Sequence, residues 1–361
     1  MNSTLTNNDL TILITGVGAP GAPSIIKALR NNGERKIKFI GIDINLNASG
    51  SQLVDNFYVG PKYNSPNFIR EIIQICNKTG ANIIIPLVTK ELNIFSSGIK
   101  QFVNKKIIVC VMPEPMMSLS NNKADLLKKI KFYNISTPQF YIANDVDSFI
   151  QAVKQLGFPN NPICFKPAES NGSRGFRILD PNMDRSEILF KQKPNSTYAD
   201  YEDILKILRN AKEIPELIVM EFLPNDEYSV DMLVDRGTIL YNIPRKRLLI
   251  NNGISTTCIT EKNDDIIEYC NAIAKCISLH GNIGIQVKLD KNNKPKILEI
   301  NPRLQGSVIN CVAAGVNLPY LGIKLFLGED IPADKYGWEG IKMVRKWDEV
   351  YFDKNGHALA Y

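Results

Sequence analysis

The sequence predicts an α/β leading domain followed by an α+β region, and three observations carry that prediction. β-Branched apolar runs at residues 11–15, 37–44, 82–85 and 107–111 alternate with helix-length segments at 21–32, 66–79 and 90–103, as in a parallel sheet covered on both faces. From residue 217 the pattern turns strand-rich, with runs at 217–222, 227–234, 238–242, 254–259, 283–289 and 296–300. The 361 residues are 44% hydrophobic and 22% charged, an ordinary globular composition, and at about 100–200 residues per domain they make two or three compact units.

The same counts exclude several classes. No apolar run approaches the roughly 18–20 residues that span a bilayer, and the opening MNSTLTNNDL lacks the basic start and apolar middle of a secretory signal; the expectation is a cytoplasmic protein without a membrane partner. The net charge of +6 is a mild excess spread along the chain, which suits small anionic ligands as well as nucleic acid; the expected partners are small molecules and not nucleic acid. Seven cysteines, mostly in apolar stretches and without a CxxC pair, read as reduced core residues. His280 and His357 are the only histidines, so chemistry falls to carboxylates, lysines, arginines and backbone amides.

In chain order, the leading domain spans residues 1–118 and ends where MPEPM interrupts regular structure. Residues 119–216 form a small α+β unit: a helix opening at Asn121, a strand at 139–142, a helix at 145–156, a strand at 163–165 running into KPAESNGSRG, and polar helices near 184–191 and 200–210. Residues 217–335 hold the later strands, a helix at 264–279 and helices near 306–313 and 317–327. The tail, 336–361, carries no functional signal, and the chain has no internal repeat.

Gly16-Val17-Gly18-Ala19-Pro20-Gly21 fits GxGxxG between a strand and a helix, and Asp43 ends the next strand. That is the sequence context of a dinucleotide fold, with a helix N-terminus for pyrophosphate and an acid for ribose. An equally open reading is a tight strand-to-helix turn in a doubly wound domain.

The stretch GIQVKLDKNNKPKILEINPR, residues 284–303, reads as a hairpin. Pairing its arms about KNNK sets Gln286 opposite Glu299 and Asn301 opposite Gly284. Period-two alternation then gathers Gln286, Lys288, Glu299 and Asn301 on one face, with Ile297 as the apolar exception, and Ile285, Val287, Leu289, Leu298 and Ile300 on the other. Such oxygen donors suit a magnesium ion that also rides on phosphates, although an amphipathic strand pair with a solvated face is the plainer reading.

Lys166 closes an apolar strand, and Ser170-Asn171-Gly172-Ser173-Arg174-Gly175 follows at once. A small-residue flap offers amides to phosphate oxygens and the lysine a point charge; a glycine-rich hairpin turn fits too. Lys123, in NNKADLL, is undistinguished by itself. MEFLP, residues 220–224, is an apolar connector suited to an adenine edge, with Glu227 beyond it placed for ribose hydroxyls. Pro244-Arg245-Lys246-Arg247 reads as an edge strand protected by charge, or as an anion clamp.

Taken together, Lys123, Lys166 with its glycine flap, MEFLPNDE, GIQVK and LEINPR resemble the ATP-grasp fold, most closely single-unit members like the carbamoyl-phosphate synthetase large chain and L-amino-acid ligases, over roughly residues 11–330. The resemblance implies a Rossmann-like leading domain and two α+β subdomains that clasp ATP. It implies phosphate contacts from Lys123 and Lys166, and from the flap through Ser170, Gly172, Ser173 and Gly175; adenine bordered by Glu221 and Leu223; ribose held by Glu227; one or two Mg²⁺ ions, or Mn²⁺, near Gln286, Glu299 and Asn301, with Gln286 also at the nucleotide; and an acyl phosphate steadied by Arg303. Gly18, Arg245, Arg247 and Arg303 fall to the substrate side. Carbamoyl-phosphate synthetases carry two such units and a glutaminase partner, and have Arg where this chain has Lys166. The implied activity is therefore a carboxylate–amine ligase acting on small molecules, with a homodimer among the assemblies it allows. Phosphorylation of bicarbonate or carbamate is one alternative, and an NAD(P)-dependent oxidoreductase built on the glycine loop is the other.

Overall fold

The structure, a computed structural model, describes residues 9–170, 174–191, 197–251, 253–335, 337–354, 356 and 358–359. The chain divides into two compact units. One comprises Met1–Ser120, Tyr228–Gln286 and Ile300–Tyr361; the other comprises Asn121–Glu227 and Val287–Glu299.

The first unit opens with β1 (Leu10–Thr15), α1 (Ala22–Arg30), β2 (Ile37–Asp43), β3 (Asn56–Val59), α2 (Phe68–Thr79), β4 (Ile83–Pro86), α3 (Thr89–Ser97), α4 (Ile99–Val103) and β5 (Ile108–Val109). The strands order as β3-β2-β1-β4-β5, and every pair is parallel. Ile12, Leu13 and Ile14 are consecutive and all fully buried, because a parallel sheet with helices on both faces has no wet side. The strand order reverses between β1 and β4, which opens a crevice at the carboxyl ends of those strands. Two details depart from expectation. The helix expected over 90–103 breaks at Gly98, where a Cβ would sit 2.3 Å from Ile69 Cδ1. The unexpected β3 is a short edge strand, and no residue of its NFYV is fully buried, so it lacks the apolar alternation that marks a strand.

After α5 (Met116–Asn121), the second unit contains α6 (Lys123–Phe132), β6 (Phe140–Ala143), α7 (Val146–Gln155), β7 (Ile163–Pro167), β8 (Arg177–Leu179), α8 (Arg185–Lys191), α9 (Tyr201–Asn210) and β9 (Leu217–Glu221). Its antiparallel sheet orders as β6-β9-β7-β8. Asn122 caps α6 by accepting from the Asp125 amide at 3.0 Å, and Asp145 with Ser148 forms a capping box on α7. Each device satisfies helix N–H groups that have no intrahelical acceptor. The core is apolar, with Phe149 edge-on to Phe165 at 5.2 Å between ring centroids.

The chain continues with β10 (Glu227–Asp235), β11 (Thr238–Asn251), β12 (Ile254–Thr260), α10 (Asp264–Cys276), β13 (Gly281–Leu289), β14 (Pro295–Asn301), α11 (Ile309–Ala313), α12 (Leu318–Leu327) and β15 (Lys342–Val344), and closes with β16 (Tyr351–Phe352) and β17 (Ala358–Leu359). The six-stranded sheet orders as β14-β13-β10-β11-β12-β15. The edge-strand reading of the basic cluster is corrected here. β11 runs straight through Pro244–Arg247 to Asn251, and β10 and β12 flank it. The supposed tail also contributes: β15 pairs with β12, and Trp338 is fully buried in the core of the first unit. Among the described residues the seven cysteines form no disulfide. Among the described residues no helix is long and apolar enough to cross a membrane.

Candidate active site

In the second unit, three charged side chains converge. Lys166 leaves the carboxyl end of β7, and its Nζ donates to the Leu298 carbonyl on β14 at 3.0 Å. Lys123 stands at the first position of α6, directly after its cap, and only 5% of it is exposed. Its Nζ donates to the Ser170 carbonyl at 2.5 Å and lies 3.6 Å from Glu299 Oε2. The Lys123 amide donates to the Ala168 carbonyl at 3.2 Å, which ties the helix start to the segment that follows β7. Burial pushes the Lys166 ammonium below its usual range, and Lys123 pushes it the same way, while Glu299 and Glu227 oppose. Two lysines clustered at the end of a strand offer point charges that suit a phosphate.

The flap falls only partly within the described residues; Gly172 and Ser173 lie outside them. Gly175 has φ +75°, and a Cβ there would lie 2.6 Å from Pro167 Cδ, so both backbone and packing require glycine at this end of the loop. At the connector, the Glu221 carboxylate accepts from the Gln139 amide at 2.9 Å, and its carbonyl accepts weakly from the Cys164 thiol at 3.7 Å. Leu223 is buried and Glu227 half-buried, and Lys288 stands over the Phe222 ring at 5.2 Å. The KNNK connection is held by Asn225, which donates to the Asp290 carbonyl at 2.9 Å and to Asn293 Oδ1 at 2.8 Å.

Glu299 and Asn301 lie two apart on β14, and strand alternation turns both to one side. Both are half-buried, as is Gln286 on β13, whereas Ile285, Val287, Leu289 and Ile300 are buried. Among the described residues no group of three or more His, Cys, Asp or Glu side chains gathers to hold an ion. Glu299 supplies a single carboxylate near the end of β14, a hard oxygen donor of the kind Mg²⁺ takes when substrate phosphates are its other ligands.

In the first unit, Arg303 follows β14 and reaches the crevice of the parallel sheet. Its Nε donates to Thr89 Oγ1 at the start of α3 at 3.0 Å, and its Nη1 donates to the Leu304 carbonyl at 2.9 Å. The loop beyond it is anchored from beneath. Gln305 donates to the Val230 carbonyl at 3.3 Å and packs so closely on Gly284 that a Cβ there would lie 2.3 Å from it. Ser307 accepts from Arg245 Nη1 at 2.9 Å.

Arg245 therefore does not serve as the expected anion clamp. It is fully buried, and its Nε donates to Asp231 Oδ2 at 2.5 Å. The pair holds its guanidinium protonated well above the ordinary arginine range, against the opposing cost of burial. Arg247 is likewise enclosed, donating to Ser255 Oγ at 2.9 Å and to the Gly253 carbonyl at 2.7 Å. Arg245 supports the Arg303 loop from the sheet through Ser307, and Arg247 ties β11 to the turn before β12.

The glycine loop also differs from a dinucleotide cradle. Gly18 N–H donates to Asp43 Oδ2 at 2.9 Å, so the amide that would face a pyrophosphate already faces a carboxylate. Gly16, at φ +65°, presses on Val88, and Gly21 presses on Gly306, where a Cβ would lie 2.6 Å from the Gly306 Cα. Close packing accounts for Gly16 and Gly21 without a dinucleotide.

Three residues of this neighbourhood were not singled out in the sequence: Thr89, Arg345 and Glu91. Glu91 is buried on α3 with Oε2 unpartnered. Burial raises its carboxyl to about 7, partly offset by the Thr15 hydroxyl and reinforced by Asp43. A signal for Thr89 and Glu91 existed in principle, because both follow β4 at the carboxyl edge of a parallel sheet.

Comparison with known proteins bears on the fold and on two stretches of the chain. Residues 213–347 match the family model described as ATP-grasp in the biosynthetic pathway with Ter operon, and residues 12–110 match the PylC-like N-terminal domain. N5-carboxyaminoimidazole synthetase from Staphylococcus aureus, complexed with ADP, aligns at 16% identity and TM-score 0.67 over 91% of this chain and 81% of its own. Biotin carboxylase from Campylobacter jejuni, in a β-γ-ATP complex, aligns at 16% and 0.67 over 90% and 72%. L-amino acid ligase from Bacillus licheniformis aligns at 15% and 0.62 over 89% and 74%. At these identities the likeness is one of fold; the two family models place an ATP-grasp domain at residues 213–347 and a PylC-like N-terminal domain at residues 12–110.

Proposed function

We propose that the protein is an ATP- and Mg²⁺-dependent carboxylate–amine ligase that forms an amide through an acyl phosphate and releases ADP and phosphate. The observation that carries this reading is the convergence of Lys166 and Lys123 on β14 beside Glu299, with Nζ atoms 3.0 Å from the Leu298 carbonyl and 3.6 Å from Glu299 Oε2. The solved ATP-grasp structures in complex with ADP and an ATP analogue support it, as does the named ligase among them.

Phosphoryl transfer between a carboxylate and ATP asks chiefly for positioning and charge neutralisation. Lys166 and Lys123 would meet the phosphates, with Ser170 and Gly175 bounding the flap. Glu221 and Leu223 would border adenine, and Glu227 would hold ribose hydroxyls. Glu299 and Asn301, with Gln286, would hold Mg²⁺, which when bound supplies positive charge to the phosphate oxygens. Arg303, oriented by Thr89, would bind the acid and steady its acyl phosphate until the amine attacks. Gly18, its amide bonded to Asp43, would only shape the wall of the crevice on the acid side. No protein nucleophile is needed.

The test is phosphate release from ATP across a panel of amino acids, dipeptides, sugar acids, and bicarbonate with ammonia. The expected result is acid-dependent ADP and phosphate, with hydroxylamine trapping the acyl phosphate as a hydroxamate. Stoichiometric AMP and pyrophosphate would overturn it, since that outcome means attack at the α phosphate.

A further inference from the structure

The C-terminal stretch past the last long helix bears on the loop that carries Arg303. Arg345 follows β15 directly, and its backbone amide extends the β12 ladder by donating to the Thr256 carbonyl at 2.8 Å. Its guanidinium is thereby delivered to two segments distant in sequence. Nη1 donates to the Pro20 carbonyl in the glycine loop at 3.3 Å, and Nη2 donates to the Gly306 carbonyl at 2.9 Å. These two segments already touch through Gly21 and Gly306, backbone against backbone. Bare glycine contacts have no side chain to fix their register, so something must hold them. A planar fork with separate donors suits two carbonyls in a way that a lysine point charge does not. From beneath, Gln305 and Ser307 are pinned by Val230 and Arg245; the face toward the glycine loop is pinned by Arg345.

We propose that Arg345 is a positioning residue for the Arg303 loop, joining it to the glycine loop so that both walls of the crevice at the carboxyl end of the parallel sheet stay in register. Its kinetic consequence rests on the ligase reading, because it assumes that Arg303 meets the acid. The effect on the loops themselves does not.

Two arms of one experiment separate these. Full-length Arg345→Ala and Arg345→Lys are compared with the parent by hydrogen–deuterium exchange and by steady-state kinetics. The Thr256 bond is made by backbone, so the alanine variant keeps β15 in place, and its unfolding midpoint is expected within a few degrees of the parent. Exchange is expected to rise about tenfold in peptides covering the glycine loop and residues 303–312, with β10 unchanged and the lysine variant intermediate. With an acid found active in the phosphate-release panel, KM for that acid is expected to rise about tenfold while KM for ATP changes less than about twofold, and methylguanidinium restores part of the loss in the alanine variant. Unchanged exchange at both loops would overturn the proposal, as would a rise in both KM values together. If no acid releases phosphate even from the parent, the ligase reading falls, and the exchange arm still decides whether Arg345 holds the loops.

Discussion

The glycine loop after β1 and the lysine pair on β14 dispose of charge in opposite ways. In the loop, the polar groups answer each other. The Gly18 amide meets Asp43, the Asp43 Oδ1 accepts from the Asn45 amide at 2.9 Å, and the glycines make room for Val88 and Gly306. At β14 the balance is left open. Two ammonium groups stand beside Glu299 and two backbone carbonyls, and desolvation lowers the basicity of Lys166. A closed set of partners marks a structural turn, whereas an unbalanced set of like charges at partial burial marks a place prepared for a ligand of the opposite sign.

The comparison is tested most severely at β14. Glu299→Gln is expected to lower Mg²⁺-dependent phosphate release by on the order of a thousandfold while leaving the thermal unfolding midpoint nearly unchanged, since the half-buried carboxylate faces ligand rather than core. Near-normal turnover of that variant would show that the carboxylate is only a counter-ion for Lys123. Lys166→Ala comes next, with a loss on the order of a hundredfold and weaker MgATP binding by calorimetry. A change confined to the KM of the acid would move Lys166 out of the phosphate site.

The crevice side has smaller effects and reads out in stability. Burial raises the Glu91 carboxyl from 4.5 to about 7, so the folded state holds its proton where the unfolded chain has released it. That contribution is fully present below about pH 4.5 and is lost as pH rises through 7, a difference on the order of 3 kcal/mol. Urea unfolding of the parent and Glu91→Gln at pH 5 and pH 8 should show the glutamine variant gaining relative stability with pH; parallel pH dependences would contradict it. The smallest effect is expected from Asp43→Ala, which removes the partner of the Gly18 amide and costs about 1 kcal/mol. Titration of that variant and of the parent with NADH should detect no binding in either. NADH binding that depends on Asp43 would reverse the reading of the loop as a closed structural turn.

Much of this was legible in the sequence, and its limits follow residue by residue. The parallel order of the leading domain followed from uninterrupted β-branched runs, because strands buried on both faces advertise themselves without regard to neighbours. The hairpin ending in LEINPR and the lysine closing β7 were equally plain, since each depends on local alternation and on where a strand stops. Gly98 was harder: its neighbour Ile69 lies on a different helix, and nothing within the segment 90–103 announces the encounter.

Charged residues divide along the same line. Lys123 looked like any solvated lysine, and it became central because the segment after β7 folds back over the start of α6 and Glu299 arrives from β14. Arg245 looked like an edge charge or a clamp. It is buried because antiparallel pairing sets Ser229 opposite it, which brings Asp231, two residues along β10, within reach of its guanidinium. Arg345 had no reading at all until its donors met Pro20 and Gly306. By itself the sequence determined the order and type of the elements and the chemistry available at each strand end, because those depend on local periodicity and residue type. Which charges are exposed for ligands and which are consumed inside the fold was decided only by the tertiary structure, because the energy of a charge is set by its burial and by partners that the chain brings from far away.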